Sequence, residues 1–285
     1  MNNIYNMVRE RLIDIFEAWE ECTCDDDVMD LTKYQLVEML EYEKEFKLYR
    51  YMPPTYFNIR NFETHKVHLS RNGIMNDVYE GLPCSFEDIK KSTVDNLGEL
   101  AFLTCLTEEY NNRLMWSHYA QNHEGFCIEY DLMKEHDNFA NIKEHLFPVI
   151  YTTKRQAARD YERLAESLYD LNKAINGEYE YDSVEPMDDI IPLFLTKDEI
   201  WKYEKEWRII YSKKQMYDLD IRELNEGNIN FNCITAIYLG YRINKEIKNN
   251  IIEICKRNEE KGSKINIFQE NLTKDSYEFE YNKIF

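Results

Sequence analysis

Short apolar runs, too brief to be independent helices, place the strongest constraint on what this chain can fold into. Leu100-Ala101-Phe102-Leu103-Thr104-Cys105, Phe126-Cys127-Ile128-Glu129-Tyr130, Glu206-Trp207-Arg208-Ile209-Ile210-Tyr211 and Ile234-Thr235-Ala236-Ile237-Tyr238-Leu239-Gly240 read as strands, rich in aromatic and β-branched residues. Lys47–Tyr51, ended by Pro53-Pro54, and Lys66–Ser70 and Pro148–Tyr151 carry weaker versions of the pattern, and Ile265–Gln269 and Tyr277–Tyr281 finish the chain as strands. Helical spacing falls between and before them. Ile4, Val8, Leu12, Ile15 and Trp19 form one apolar stripe, and Val28, Leu31, Leu36, Met39 and Leu40 a second. Further helices are expected over Leu114–Gln121, Thr153–Asn176, Pro192–Trp201 and from an Asn244 cap to Cys255. The connections are too irregular for successive βαβ units. The expected fold is therefore α+β: a mixed, largely antiparallel sheet core with surrounding helices. Residues 1–45 are read as an N-terminal helical addition and 46–285 as a single α+β domain.

Composition narrows the function classes. The 285 residues carry 35 Lys and Arg against 54 Asp and Glu, a net charge of −19, yet 44% are hydrophobic, so a full core is available. A strongly acidic chain does not present a broad nucleic-acid or anionic-membrane surface, which needs clustered cations. Charges enter from Arg9 onward, where a signal peptide needs an apolar core, and no stretch reaches membrane-span length. Seven scattered cysteines point to a reducing, cytoplasmic setting, and Cys22-Thr-Cys24 lacks a partner pair at zinc spacing. Residues 178–189, acidic and proline-containing, read as a mobile loop.

Three boxes carry candidate chemistry. Ser70 with Met75-Asn76-Asp77-Val78-Tyr79-Glu80-Gly81 places polar groups after a strand, where Asx residues equally serve as turn caps. Leu114-Met115-Trp116-Ser117-His118-Tyr119-Ala120 puts Trp116, His118 and Tyr119 at helical spacing, either as an aromatic core face or as a surface that stacks on a flat ligand. Within it, His118 and Tyr119 form a candidate acid/base pair. Trp201-Lys202-Tyr203-Glu204-Lys205-Glu206-Trp207-Arg208 runs into an apolar strand; a strand begun near Glu204 sets Glu204, Glu206 and Arg208 on one side. The plainer reading there is an ion-paired edge strand. Glycine-rich phosphate loops, the Gly-x-Ser-x-Gly elbow and His-Glu-x-x-His are missing, so any chemistry uses dispersed residues.

The order of these boxes, with Tyr49-Arg50-Tyr51 ahead of them, resembles the bacterial family of unknown function 2971 across roughly residues 46–240. Val78-Tyr79 stands where Pro-Phe is expected in the Asn-Asp box. More distantly, the arrangement is similar to bacterial ADP-ribosyltransferase-like folds. That resemblance implies an NAD-consuming transferase or glycohydrolase, of the kind that serves as toxin or antiphage effector. It implies that Tyr49 or Arg50 holds NAD, that Ser70 or His118 and Tyr119 line the pocket, and that Glu204 or Glu206 is catalytic. Asn76, Trp116 and Arg208 complete the expected nucleotide contacts. The alternatives are a non-catalytic sensor or partner-binding module, and a hydrolase in which Asp77, Glu80 and Glu206 converge on Mg²⁺. Convergence of Arg50, Ser70, His118, Tyr119 and one glutamate on a single cleft favours catalysis; a solvent-facing Glu204 favours the binding module.

Overall fold

The computed structural model describes residues 4–21, 37–40, 43–71, 77, 79, 101–134, 139–154, 194–212 and 227–285. The expected 178–189 loop and nearly all of the 153–176 helix lie outside these residues, as do Asn76 and Glu80. The element order is α1 (Ile4–Glu21), β1 (Lys47–Met52), α2 (Tyr56–Glu63), β2 (Lys66–His68), β3 (Ser70–Arg71), β4 (Ala101–Thr107), α3 (Arg113–Tyr119) and β5 (Phe126–Asp131). There follow α4 (Phe139–Glu144), β6 (Leu146–Pro148), β7 (Ile150–Thr152), β8 (Thr196–Asp198), a 3₁₀ helix (Glu199–Glu204) and β9 (Glu206–Ser212). Last come β10 (Asn228–Asn230), β11 (Ile234–Leu239), α5 (Lys245–Glu260), β12 (Asn266–Leu272) and β13 (Phe279–Lys283).

A nine-stranded sheet in the order β13-β12-β11-β5-β1-β4-β9-β6, with β3 also on β4, forms the core. Every pairing in it is antiparallel except β11 with β12, which α5 connects as a crossover. The fold is thus α+β, as the pattern of short strands implies. Buried residues cover both sheet faces, so the strands read as near-continuous apolar runs. One face packs Leu48, Met52, Ile128, Tyr130, Trp207 and Ile209 against Val8 and Leu12 of α1 and Ile251, Ile254 and Cys255 of α5. The other packs Tyr49, Tyr51, Cys127 and Tyr238 against Met115 and Trp116 of α3.

The first helix is tied to this body by polar contacts as well as packing. The Tyr5 hydroxyl donates to the Lys47 carbonyl (2.7 Å), and Arg9 donates to the Val149 carbonyl (3.0 Å) and to Glu108 (2.8 Å). Of the second expected helix, residues 37–40 are described and helical, with Leu40 in the core.

Three local readings are corrected. Pro192–Trp201 is not one helix: Thr196–Asp198 is a strand paired with β7, and the Asp198 side chain then accepts from the Ile200 amide (2.9 Å) to start the 3₁₀ turn. The strand that carries Glu206 does not begin at Glu204, because Lys205 sits in the left-handed region (φ 44°) between them. Pro148–Tyr151 is two strands interrupted at Val149, β6 on β9 and β7 on β8.

The turn after α3 depends on backbone approaches that only glycine permits. A Cβ on Gly125 would lie 2.2 Å from the Met52 carbonyl oxygen, and one on Gly240 would lie 2.2 Å from that of His123. The Gly240 amide donates to the Gly125 carbonyl across this contact (3.0 Å). Gly240→Ala is expected to lower the free energy of unfolding by about 1–3 kcal/mol in a urea titration, the usual cost of forced overpacking.

Candidate functional site

The main sheet opens between β1 and β4. Along one edge, β4 is paired with β9 over its whole length, from Ala101 with Ser212 to Thr107 with Glu206. Its other edge is shared: β1 meets it at Tyr49 with Thr107, and β3 meets it at Ser70 with Leu103. Between those points no described strand lies beside Thr104, Cys105 and Leu106. There a cavity of about 230 Å³ is lined by Tyr49, Arg50, Tyr51 and Ser70 from one side and Leu103 to Thr107 from the other. Met115, Tyr119, Lys197, Glu204 and Glu206 complete its wall.

Local capping aims α3 at this opening. The Asn112 side chain accepts from the Leu114 and Met115 amides (3.0 and 3.2 Å) and donates to the Tyr203 carbonyl (2.8 Å). One turn on, Met115 and Tyr119 share the face toward the cavity. The left-handed Lys205 turns the chain so that Glu204 and Glu206 both reach the Lys197 ammonium, at 2.6 and 3.0 Å. Thr107 fixes the same turn by donating to the Glu204 carbonyl (2.6 Å). Tyr119 donates to the second Glu204 oxygen at 2.5 Å. Glu206 is held further by Arg208, whose Nε and terminal nitrogen lie 2.8 and 3.2 Å from its two oxygens. Tyr151 accepts from the Glu206 amide (2.7 Å).

The two carboxylates have opposite proton preferences. Burial raises the Glu204 pKa above the ordinary range, Lys197 offsets part of that, and the neighbouring Glu206 charge adds to the rise. Burial pushes Glu206 the same way, but Arg208 and Lys197 together outweigh it and hold Glu206 well below the usual range. Glu206 is thus a fixed anion and Glu204 the member able to take up a proton. Such a division is how paired carboxylates acquire separate acid/base roles.

Of the residues singled out in the sequence, Tyr49, Arg50, Ser70, Tyr119, Glu204 and Glu206 line the one cavity. Three do not. His118 is exposed on the outer side of α3, where its Nδ1 lies 3.3 Å from the Tyr203 hydroxyl. Trp116 is fully buried, donating to the Tyr110 carbonyl (2.8 Å), and packs the aromatic core. Arg208 is fully buried behind Glu206 and acts on the cavity through it. Asn76 lies outside the described residues. Both Glu206 oxygens are engaged by cations, and Asp77 is not among the residues that line this cavity.

Lys197, Cys105 and Thr104, which also line the cavity, carry little signal in the sequence. Lys197 was hidden inside an expected helix; its only sequence signal is Asp198 behind it, a start cue for the following turn. Cys105 and Thr104 lie within an apolar run that reads as core throughout.

Lys197→Met leaves two buried carboxylates facing each other, and is expected to cost about 3–5 kcal/mol in denaturant unfolding. Adding Glu204→Gln to it should recover part of that loss. Glu206, with its folded pKa depressed, contributes stability above about pH 4.3, the unfolded value, and that stability is lost as pH falls further. Glu204 acts in reverse, its contribution present below the unfolded value and lost as pH rises through the raised folded value. Glu206→Gln should therefore flatten the acid limb of a stability–pH profile; an unchanged limb contradicts the assignment.

No curated protein and no solved structure matches the chain. Residues 115–209 match a family model described as a protein of unknown function (DUF2971), a segment that runs from α3 to β9 and holds Tyr119, Lys197, Glu204, Glu206 and Arg208. The resemblance carried by the Trp-Ser-His-Tyr-Ala and Glu-Trp-Arg boxes is thus to the family of unknown function 2971, over the part of the chain that builds the carboxylate wall of the cavity.

Proposed function

We propose that the chain is an enzyme that cleaves an N-glycosidic bond of a small nucleotide, with NAD as the substrate and Glu204 as the catalytic carboxylate. The carrying observation is the Glu204–Lys197–Glu206 bridge at a cavity wall, with one carboxylate biased to accept a proton and the other locked as an anion. A plain surface ion pair has no reason to be buried, split in proton preference and faced by a tyrosine.

In the proposed reaction the bond between nicotinamide nitrogen and ribose C1′ breaks, and its electron pair leaves with nicotinamide. Positive charge develops on C1′ and the ring oxygen. The carboxylates stabilise that charge electrostatically, and Glu204 accepts a hydrogen bond from the ribose or the attacking hydroxyl. Water, or an acceptor hydroxyl or amine, forms the new bond to C1′ and loses a proton, which Glu204 can take. Tyr119 keeps Glu204 in position. A cavity of about 230 Å³ is below the roughly 300–1,000 Å³ of sites that enclose a whole ligand, so it takes only the reacting part of the nucleotide and leaves the adenosine end outside.

Purified protein incubated with NAD should release nicotinamide, measured by chromatography. Glu204→Gln should slow release by about 10²–10³-fold and Tyr119→Phe by about tenfold, while His118→Ala leaves it near wild type. As Glu204 acts in its ionised form, the rate should rise with pH through a value above the ordinary carboxylate range. Release that survives Glu204→Gln rules the carboxylate out.

A further inference from the structure

The opening between β1 and β4 has a second polar lining, on the sheet face opposite the carboxylates. Side chains alternate along a strand, so Tyr49 and Tyr51 point to the α3 face and Arg50 points away from it. The pairing partners agree. Tyr49 is opposite Glu129 and Thr107, whose β9 partner is Glu206; Arg50 is opposite Ile128, beside Leu48 and Tyr130 on the apolar face. Thr104, three residues before Thr107, has the same orientation as Leu106 and falls on the Arg50 side. Both Arg50 and Thr104 line the cavity.

Neither side chain has a hydrogen-bond partner among the described residues. Arg50 is half-buried, and among the described residues its guanidinium has no hydrogen-bond or carboxylate partner; its nearest titratable neighbours are the Tyr130 phenol and the Cys105 thiol. The Thr104 hydroxyl is buried, at 2% exposure for the residue, and has no hydrogen-bond partner among them either. A guanidinium stays protonated in any protein setting, and leaving it beside apolar side chains without a counter-charge is costly. The backbone edge of Thr104–Leu106 also has no described strand beside it. A cation and an unused hydroxyl facing one cavity make a pair of convergent donors suited to a tetrahedral oxyanion.

We propose that Arg50 and Thr104 form a phosphate-binding site, so that a phosphate-bearing ligand threads the strand opening with its anion on one sheet face and its reacting end on the other. The division has an electrostatic reason: Glu204 and Glu206 repel a phosphate placed on their own face, and the sheet separates the two. The proposal shares its cavity with the proposed reaction but does not depend on which bond is cleaved.

The test uses the full chain with inorganic phosphate and pyrophosphate at fixed ionic strength, read by titration calorimetry and thermal unfolding. Wild type should bind pyrophosphate and gain in Tm with its concentration. Arg50→Met should weaken binding at least about tenfold, and Thr104→Val several-fold. His118→Ala, on the exposed outer side of α3, should bind as wild type does. In anion-free buffer Arg50→Met should unfold at a higher temperature than wild type, because a half-buried cation without a counter-charge among the described residues has been removed. A lower Tm for Arg50→Met in that buffer, wild-type affinity in that variant, or no anion binding by wild type would each overturn the proposal. Anion binding without nicotinamide release leaves this site standing and removes the reaction; release without anion binding does the reverse.

Discussion

A single ammonium group organises the centre of this molecule. Lys197 comes from a three-residue strand that, among the described residues, pairs with β7 alone, and it is buried together with the two glutamates it bridges. Three buried charges in one place are stable only as a set, since removing any one leaves the others without compensation. That requirement explains the surroundings. Lys205 adopts a left-handed backbone conformation so that the residues on either side can both reach Lys197, and Arg208 closes the charge balance behind Glu206. Thr107 and Tyr151 bind the backbone of the same turn. Strain and desolvation concentrated in a few residues beside a cavity are features of functional sites.

The sheet supplies the cavity by failing to close. β4 is fully paired on its β9 side, but its other side is divided between β1 and β3, and the gap between them is where the lining residues meet. Alternation along β1 then sends Tyr49 and Arg50 to opposite faces. One continuous strand thus contributes to a carboxylate-facing wall and to a cationic one. Although the chain carries a net charge of −19, the cations Arg50 and Lys197 match the two glutamates that line the cavity, and Arg208 stands behind Glu206. Bulk acidity and local chemistry are separate properties here.

The strands were legible because their apolar runs are short and bounded, and both sheet faces are buried; β4, β5, β9 and β11 all fall on such runs. Helix α1 was legible from the spacing of Val8 and Leu12, which reach the core. The carboxylates were legible as a Glu-x-Glu beside aromatic residues, but the reason they converge was not. It depends on a left-handed lysine, which no propensity favours, and on a tertiary partner in a segment whose apolar spacing suggested a helix. Trp116 and His118 fall away from the cavity for a related reason. Helical spacing groups residues on a face without saying which face meets the sheet, and here Met115 and Tyr119 turn to the cavity while His118 turns to solvent.

The central claim is that one lysine holds two carboxylates with opposite proton preferences. Carbon-13 NMR of glutamate side-chain carboxyls across a pH titration tests it directly, with Glu204→Gln and Glu206→Gln supplying the assignments. The account predicts one carboxyl that titrates above the ordinary range and disappears in Glu204→Gln, and one that remains ionised well below that range and disappears in Glu206→Gln. Two carboxyls titrating together at ordinary values would contradict it.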